Sequence, residues 1–111
     1  MSALATKIEV IERLGGVRGR EIAQLLDITP ETVSRWKTGK ASPQPDRLQH
    51  LLTLEWLISE MAELYHPEDA RVWLFSHHKL LGGDRPADRI QQGKIDDVLA
   101  LVDQLKTGAF V

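Results

Sequence analysis

Residues 19–40 read GREIAQLLDITPETVSRWKTGK, two helical patterns separated by a tight turn. The apolar spacing predicts a short helix over about 19–26. Thr29 is a good N-cap residue, and Pro30 follows at the first helical position, where a missing N–H costs nothing. The second helix closes at KTGKASPQP: Gly39 suits a left-handed cap, and Pro43 and Pro45 forbid continuation. Ile22, Leu26, Ile28, Val33 and Trp36 then make a shared core, with small Ala23 where the second helix crosses.

The opposite face of the second helix carries Pro30, Glu31, Thr32, Ser34, Arg35, Lys37 and Thr38. In a helix-turn-helix this face enters the major groove, and its N-terminal residues reach base edges. Arg35 suits guanine O6 and N7, Thr32 or Ser34 a base or phosphate, and Glu31 the N4 amine of cytosine. Arg18, Arg20, Lys37 and Lys40 are candidate phosphate contacts. The candidate DNA-binding set is therefore Thr29, Pro30, Glu31, Thr32, Ser34, Arg35, Lys37, Thr38 and Lys40. The competing description is an amphipathic hairpin with ordinary solvated charges. Agreement of cap, turn and core spacing at once favours DNA.

Working outward, the remaining chain is helical in pattern, with no convincing period-two strand. Ser2 caps a first helix with Leu4, Ile8, Ile11 and Leu14 at three- and four-residue steps, and Gly15-Gly16 stops it. The longest helix is expected from about Asp46 to Tyr65. Its apolar residues occupy more than one stripe, so several sides need cover, one of them from another subunit. Further helices are expected over about 67–75, from Pro86 to about Gln92, and over about 94–107. SHHKLLGGD is a turn-rich connector between them. The expected fold is all-α: a helix-turn-helix module over 1–45, a long connecting helix over 46–66 and a small helical unit over 67–111.

The totals fit this size. The 111 residues, 42% hydrophobic and 27% charged, allow one compact unit with a modest core. Cysteine is absent, which excludes disulfides and thiolate metal sites and suits a reducing compartment. No signal-like start or bilayer-length apolar run is present, so a cytoplasmic location is expected. The net charge of −2 is split, with residues 1–47 net positive and the remainder net negative. His77 and His78 are adjacent and face different ways, and His50 and His66 have no ligand at the i, i+4 spacing. Neither a metal site nor a cofactor is expected, and no nucleophile–base pair suggests an enzyme.

The stretch EIAQLLDITPETVSRWKTGKASP resembles the Xre-type helix-turn-helix family, which includes phage-repressor-like regulators. Asp27 stands in the turn where glycine is common, and Asp tolerates the left-handed conformation better than most residues. From Arg71 onward the chain resembles the toxin-binding domain shared by the Xre/MbcA/ParS antitoxins. Trp73, the Leu80-Leu81 pair, RPAD at 85–88, Gly93, VLALVD at 98–103 and the closing GAFV carry that likeness. The resemblance implies an antitoxin that neutralises a cognate NAD⁺-consuming RES-domain toxin and represses its own operon. It implies toxin contacts at Trp73, Leu80, Leu81, Arg85, Pro86, Gly108, Ala109, Phe110 and Val111, with operator DNA and a second copy as further partners.

The last residues make chemical sense as a plug. Gly108 releases the chain, and Phe110 and the terminal carboxylate of Val111 match the apolar wall and anion-binding donors of a nucleotide pocket. Burying one Phe in a partner contributes about 1.5–3 kcal/mol. From chemistry alone, Phe110 folding back onto its own bundle is an equal alternative; the resemblance favours the plug. A second function class stays open: a stand-alone repressor whose C-terminal half only dimerises.

Overall fold

The computed structural model describes residues 2–108, and every regular element among them is helical. In order these are α1 (Ala3–Gly15), α2 (Gly19–Leu26), α3 (Pro30–Thr38), α4 (Pro45–Met61), α5 (Pro67–Leu74), a 3-10 turn (Lys79–Leu81), α6 (Pro86–Gln91) and α7 (Ile95–Thr107). The all-α expectation holds. No helix among the described residues is long and apolar enough to cross a membrane.

Local chemistry sets the boundaries. Pro30, Pro45, Pro67 and Pro86 each open a helix, where proline's fixed φ is already helical. Ser2 Oγ accepts the Ala5 N–H at 3.0 Å to start α1, and left-handed Gly16 ends it. One expectation needs correction: the long helix stops at Met61 rather than Tyr65. Pro67 pushes His66 into extended geometry (ψ 159°), and the turn tightens before it, with the Leu64 N–H on the Met61 carbonyl.

α4 is the central element. Leu51, Leu54, Leu57, Ile58 and Met61 are fully buried along it, against α1, α2 and α7. Gly15 of α1 faces Ile58, where a Cβ would come within 3.1 Å of the Ile58 side chain, so glycine permits this close approach. One continuous apolar cluster runs from Ile8 through Ile22, Trp36, Leu54 and Leu74 to Val102. Because α2 also packs on α6 and α1 on α5, the N-terminal and C-terminal halves share this core. Ion pairs brace the helices: Lys7–Glu55 ties α1 to α4 at 3.3 Å, and Lys106–Glu60 ties α7 to α4 at 3.1 Å. Part of α4 stays uncovered: Leu48 and Trp56 are exposed, Trp56 to 60%.

Candidate functional site

Two surfaces carry the sequence-derived site residues. The first is built on α2, its turn and α3. Asp27 caps α2 in the left-handed region (φ 55°), and Ile28 donates to the Ala23 carbonyl at 2.9 Å, which redirects the chain. Arg47, reaching from α4, donates to the Leu26 carbonyl at 2.7 Å and satisfies the end of α2. Thr29 Oγ1 accepts the Thr32 N–H at 3.2 Å, a cap worth about 1 kcal/mol.

These devices fix the orientation of α3. Val33 and Trp36 are buried, while Pro30, Glu31, Ser34, Arg35, Thr38 and Lys40 are exposed together. The hydroxyls of Thr29 and Thr32 lie 2.8 Å apart, and Thr38 Oγ1 donates back to the Ser34 carbonyl at 3.0 Å. Lys37 also faces outward, but its ammonium sits 2.7 Å from Glu12 of α1. That pairing holds α3 against α1. Arg35 has no ion-pair partner among the described residues, so its guanidinium is available at the middle of the exposed face.

The second surface is the loop between α5 and α6 together with α7. Trp73 is half-buried, stacked 6.3 Å from the Tyr65 ring and 4.9 Å from that of His78. His78 bonds through Nε2 to the Trp73 carbonyl at 2.9 Å, and His77 through Nδ1 to the Gly83 carbonyl at 2.8 Å. The loop also closes on itself, with the Gly83 N–H on the His78 carbonyl and the His78 N–H on that of Asp84. Neighbouring leucines part ways here. Leu81 is 4% exposed and anchors the loop, whereas Leu80 is 59% exposed and displayed by it.

Arg85 and Pro86 serve the start of α6. Arg85 donates its backbone N–H to Asp88 at 3.0 Å and its Nη2 to the same carboxylate at 2.8 Å. These bonds hold the Asp88 carboxyl below the usual carboxylate range, the side-chain bond contributing most and burial opposing it. Pro86 is buried.

Sequence reasoning missed Arg89. Its Nη2 donates to the Leu81 carbonyl, its Nε to Asp84 and its Nη1 to Asp97, each at 2.8 Å. One guanidinium thus joins the loop, α6 and α7. With Leu80, Leu81, Ala100, Leu101 and Gln104 it lines a groove of about 350 Å³. Gly108 leaves α7 in the left-handed region (φ 72°), releasing the chain from the helix. Ala109, Phe110 and Val111, expected to form the inserting tail, lie outside the described residues.

The C-terminal surface coincides with a known domain. Residues 62–108 match the model of the antitoxin Xre/MbcA/ParS C-terminal toxin-binding domain. The whole chain is 36% identical to the mycobacterial cidal antitoxin MbcA of Mycobacterium tuberculosis, covering 100% of this chain and 98% of that protein. The chain belongs to the Xre/MbcA/ParS antitoxin family. A probable mycobacterial cidal antitoxin of M. tuberculosis is 27% identical over 105 residues, 93% of this chain and 90% of that one. The fold matches a chain in the crystal structure of the M. tuberculosis MbcT–MbcA toxin–antitoxin complex with a TM-score of 0.86, at 36% identity and full coverage of both. For an Xre/MbcA/ParS antitoxin, the displayed Leu80 and the groove beside it fall inside the toxin-binding domain, and the α3 face falls outside it.

Proposed function

We propose that this chain neutralises a cognate NAD⁺-consuming RES-domain toxin in the cytoplasm by inserting its C-terminal tail into the toxin's active site, and that it represses its own operon through α3. Full-length similarity to MbcA, whose structure is solved in complex with the toxin MbcT, carries this reading. Gly108 supports a tail free of α7, and Phe110 with the terminal carboxylate supplies the apolar and anionic parts of a nucleotide mimic. The groove beside Leu80 then seats the body of the toxin, held in shape by Arg89. Arg35, exposed and without an ion pair among the described residues, supports base contact by α3. The exposed Leu48 and Trp56, eight residues apart on α4, support a homodimer or larger assembly.

The test is co-expression with the cognate RES-domain toxin. Deleting Phe110 and Val111 is expected to release toxin activity, read as loss of cellular NAD⁺ and of growth, while operator binding persists. Full protection by the truncated chain refutes tail insertion.

A further inference from the structure

Arg71 lies on α5, within the residues matched by the toxin-binding domain, yet its closest polar partner is fifty residues away on α2. Its Nη2 donates to Glu21 Oε2 at 2.5 Å, while the other oxygen of Glu21 accepts the Arg18 N–H at 3.1 Å. Arg18, Arg20, Glu21, Gln24 and Arg71 together line an open groove of about 740 Å³. Three guanidiniums meet one carboxylate there, in a chain whose net charge is −2. Arg18 and Arg20 have no ion-pair partner among the described residues. Arg71 is half exposed and engages Glu21 through one of its five N–H donors, so donors remain for a further acceptor.

We infer that this groove holds the phosphate backbone of the DNA duplex, and that Arg71 extends the DNA-binding surface from the N-terminal module into the toxin-binding domain. The inference rests on the proposal that α3 reads DNA. The start of α2 packs on that helix: at Gly19, between Arg18 and Arg20 of the groove, a Cβ would lie 3.7 Å from Val33 of α3. In a helix-turn-helix the first helix crosses the backbone beside the groove that the second helix enters. Backbone acceptors flanking the bases read by α3 therefore fall where these arginines stand. Glu21 has two roles: it caps α2 and occupies one donor of Arg71, placing one negative charge among the groove's cations.

The experiment measures binding of the full chain, across a salt series, to two duplexes. One covers the region immediately upstream of its reading frame; the other is the same duplex scrambled. Arg71→Gln is expected to weaken both alike and to lower the slope of log K against log salt by ~0.9, the loss of one phosphate contact. Arg71→Lys keeps the charge and most of the slope. Lys94→Gln, removing a cation at the start of α7, leaves binding unchanged. Glu21→Gln retains a capping acceptor while removing the opposing charge, so it binds both duplexes more tightly, a gain that mere damage to the fold does not produce.

Wild-type slope and affinity in Arg71→Gln overturn the inference while leaving the α3 reading intact. Unchanged or weaker binding in Glu21→Gln overturns it as well. So does a loss in Arg71→Gln confined to the toxin complex, which assigns the arginine to the protein partner instead. Failure of the wild-type chain to bind either duplex at low salt removes the α3 reading itself, and this inference with it.

Discussion

Arg89 and Asp97 lie 2.8 Å apart across the junction of α6 and α7, and the same guanidinium reaches back 2.8 Å to the Leu81 carbonyl. The loop that displays Leu80 is therefore held by a side chain and not by its own short 3-10 turn alone. Arg89 is 22% exposed in its side chain, so solvent screens these pairs only in part. Arg89→Ala is expected to leave α1–α4 intact while the amides of Gly82, Gly83 and Asp84 exchange faster with solvent. Toxin affinity falls with it, because the loop must be ordered again on binding. Hydrogen exchange on the free chain and titration with toxin check the two halves of this expectation separately. Arg89→Lys restores one contact at most, since an ammonium cannot span three acceptors in the guanidinium's planar fork.

The shared core makes a second prediction. Leu54 is fully buried at the centre of α4, in the cluster that contains residues of both halves. Leu54→Ala is expected to cost about 2–5 kcal/mol, through lost transfer energy and the cavity left behind. Tryptophan fluorescence reports this well, since Trp36 lies in the N-terminal half and Trp73 in the C-terminal half. With Trp56→Phe in both, adding Trp36→Phe or Trp73→Phe leaves a single tryptophan, whose urea transition should coincide with the far-UV circular dichroism of the same variant and be displaced by Leu54→Ala. Two separated transitions show that the halves unfold independently.

How legible these features were in the sequence follows from how local they are. The cap at Thr29, the proline at Pro30, the left-handed Asp27 and the apolar spacing of α3 act within a few residues, and their outcome in structure is the one expected. The end of α4 was misplaced because apolar periodicity continues to Tyr65, while the constraint from Pro67 acts one residue back on His66. Leu80 and Leu81 were indistinguishable because a connector has no period to tell inside from outside. Arg89 was missed because its partners at 81, 84 and 97 come from three elements brought together only by folding. The same holds for Arg71, whose partner Glu21 belongs to the opposite half of the chain.

The Arg85–Asp88 pair sets a pH dependence whose sign is fixed by the depressed Asp88 carboxyl. The folded state holds that carboxylate ionised through bonds from Arg85, so it takes up a proton less readily than the unfolded chain. Its stabilising contribution is complete above the unfolded carboxylate pKa and is lost as pH falls through the lower folded value. Glu63, held down in the same direction by Lys106, adds to the same trend. Thermal midpoints are therefore expected to begin dropping below about pH 5 and to keep falling past the unfolded carboxylate values of about 4. Asp88→Asn removes one titrating group, giving a lower midpoint near neutrality and a flatter fall in acid. A fall as steep as that of the wild-type chain shows that other carboxylates govern the acid limb.

On the proposal that α3 binds the operator, its exposed face should separate base reading from backbone contact. Arg35 stands in the middle of that face with no ion pair among the described residues, while Lys40 follows the left-handed Gly39 at its end. A guanidinium on guanine O6 and N7 discriminates among bases, so Arg35→Ala is expected to cost about 1–3 kcal/mol on the operator and little on a scrambled duplex. An ammonium on phosphate does not discriminate. Lys40→Ala should weaken both duplexes alike and flatten the salt dependence by about one unit of slope. Lys37→Ala has a third signature: its charge lies 2.7 Å from Glu12, so its loss loosens α3 from α1 and lowers the thermal midpoint before it alters the salt slope. Anisotropy titrations over several salt concentrations, paired with melts of the same variants, distinguish all three. Wild-type discrimination in Arg35→Ala removes that residue from the base-reading set and moves the contact toward Ser34 or Glu31 on the same exposed surface.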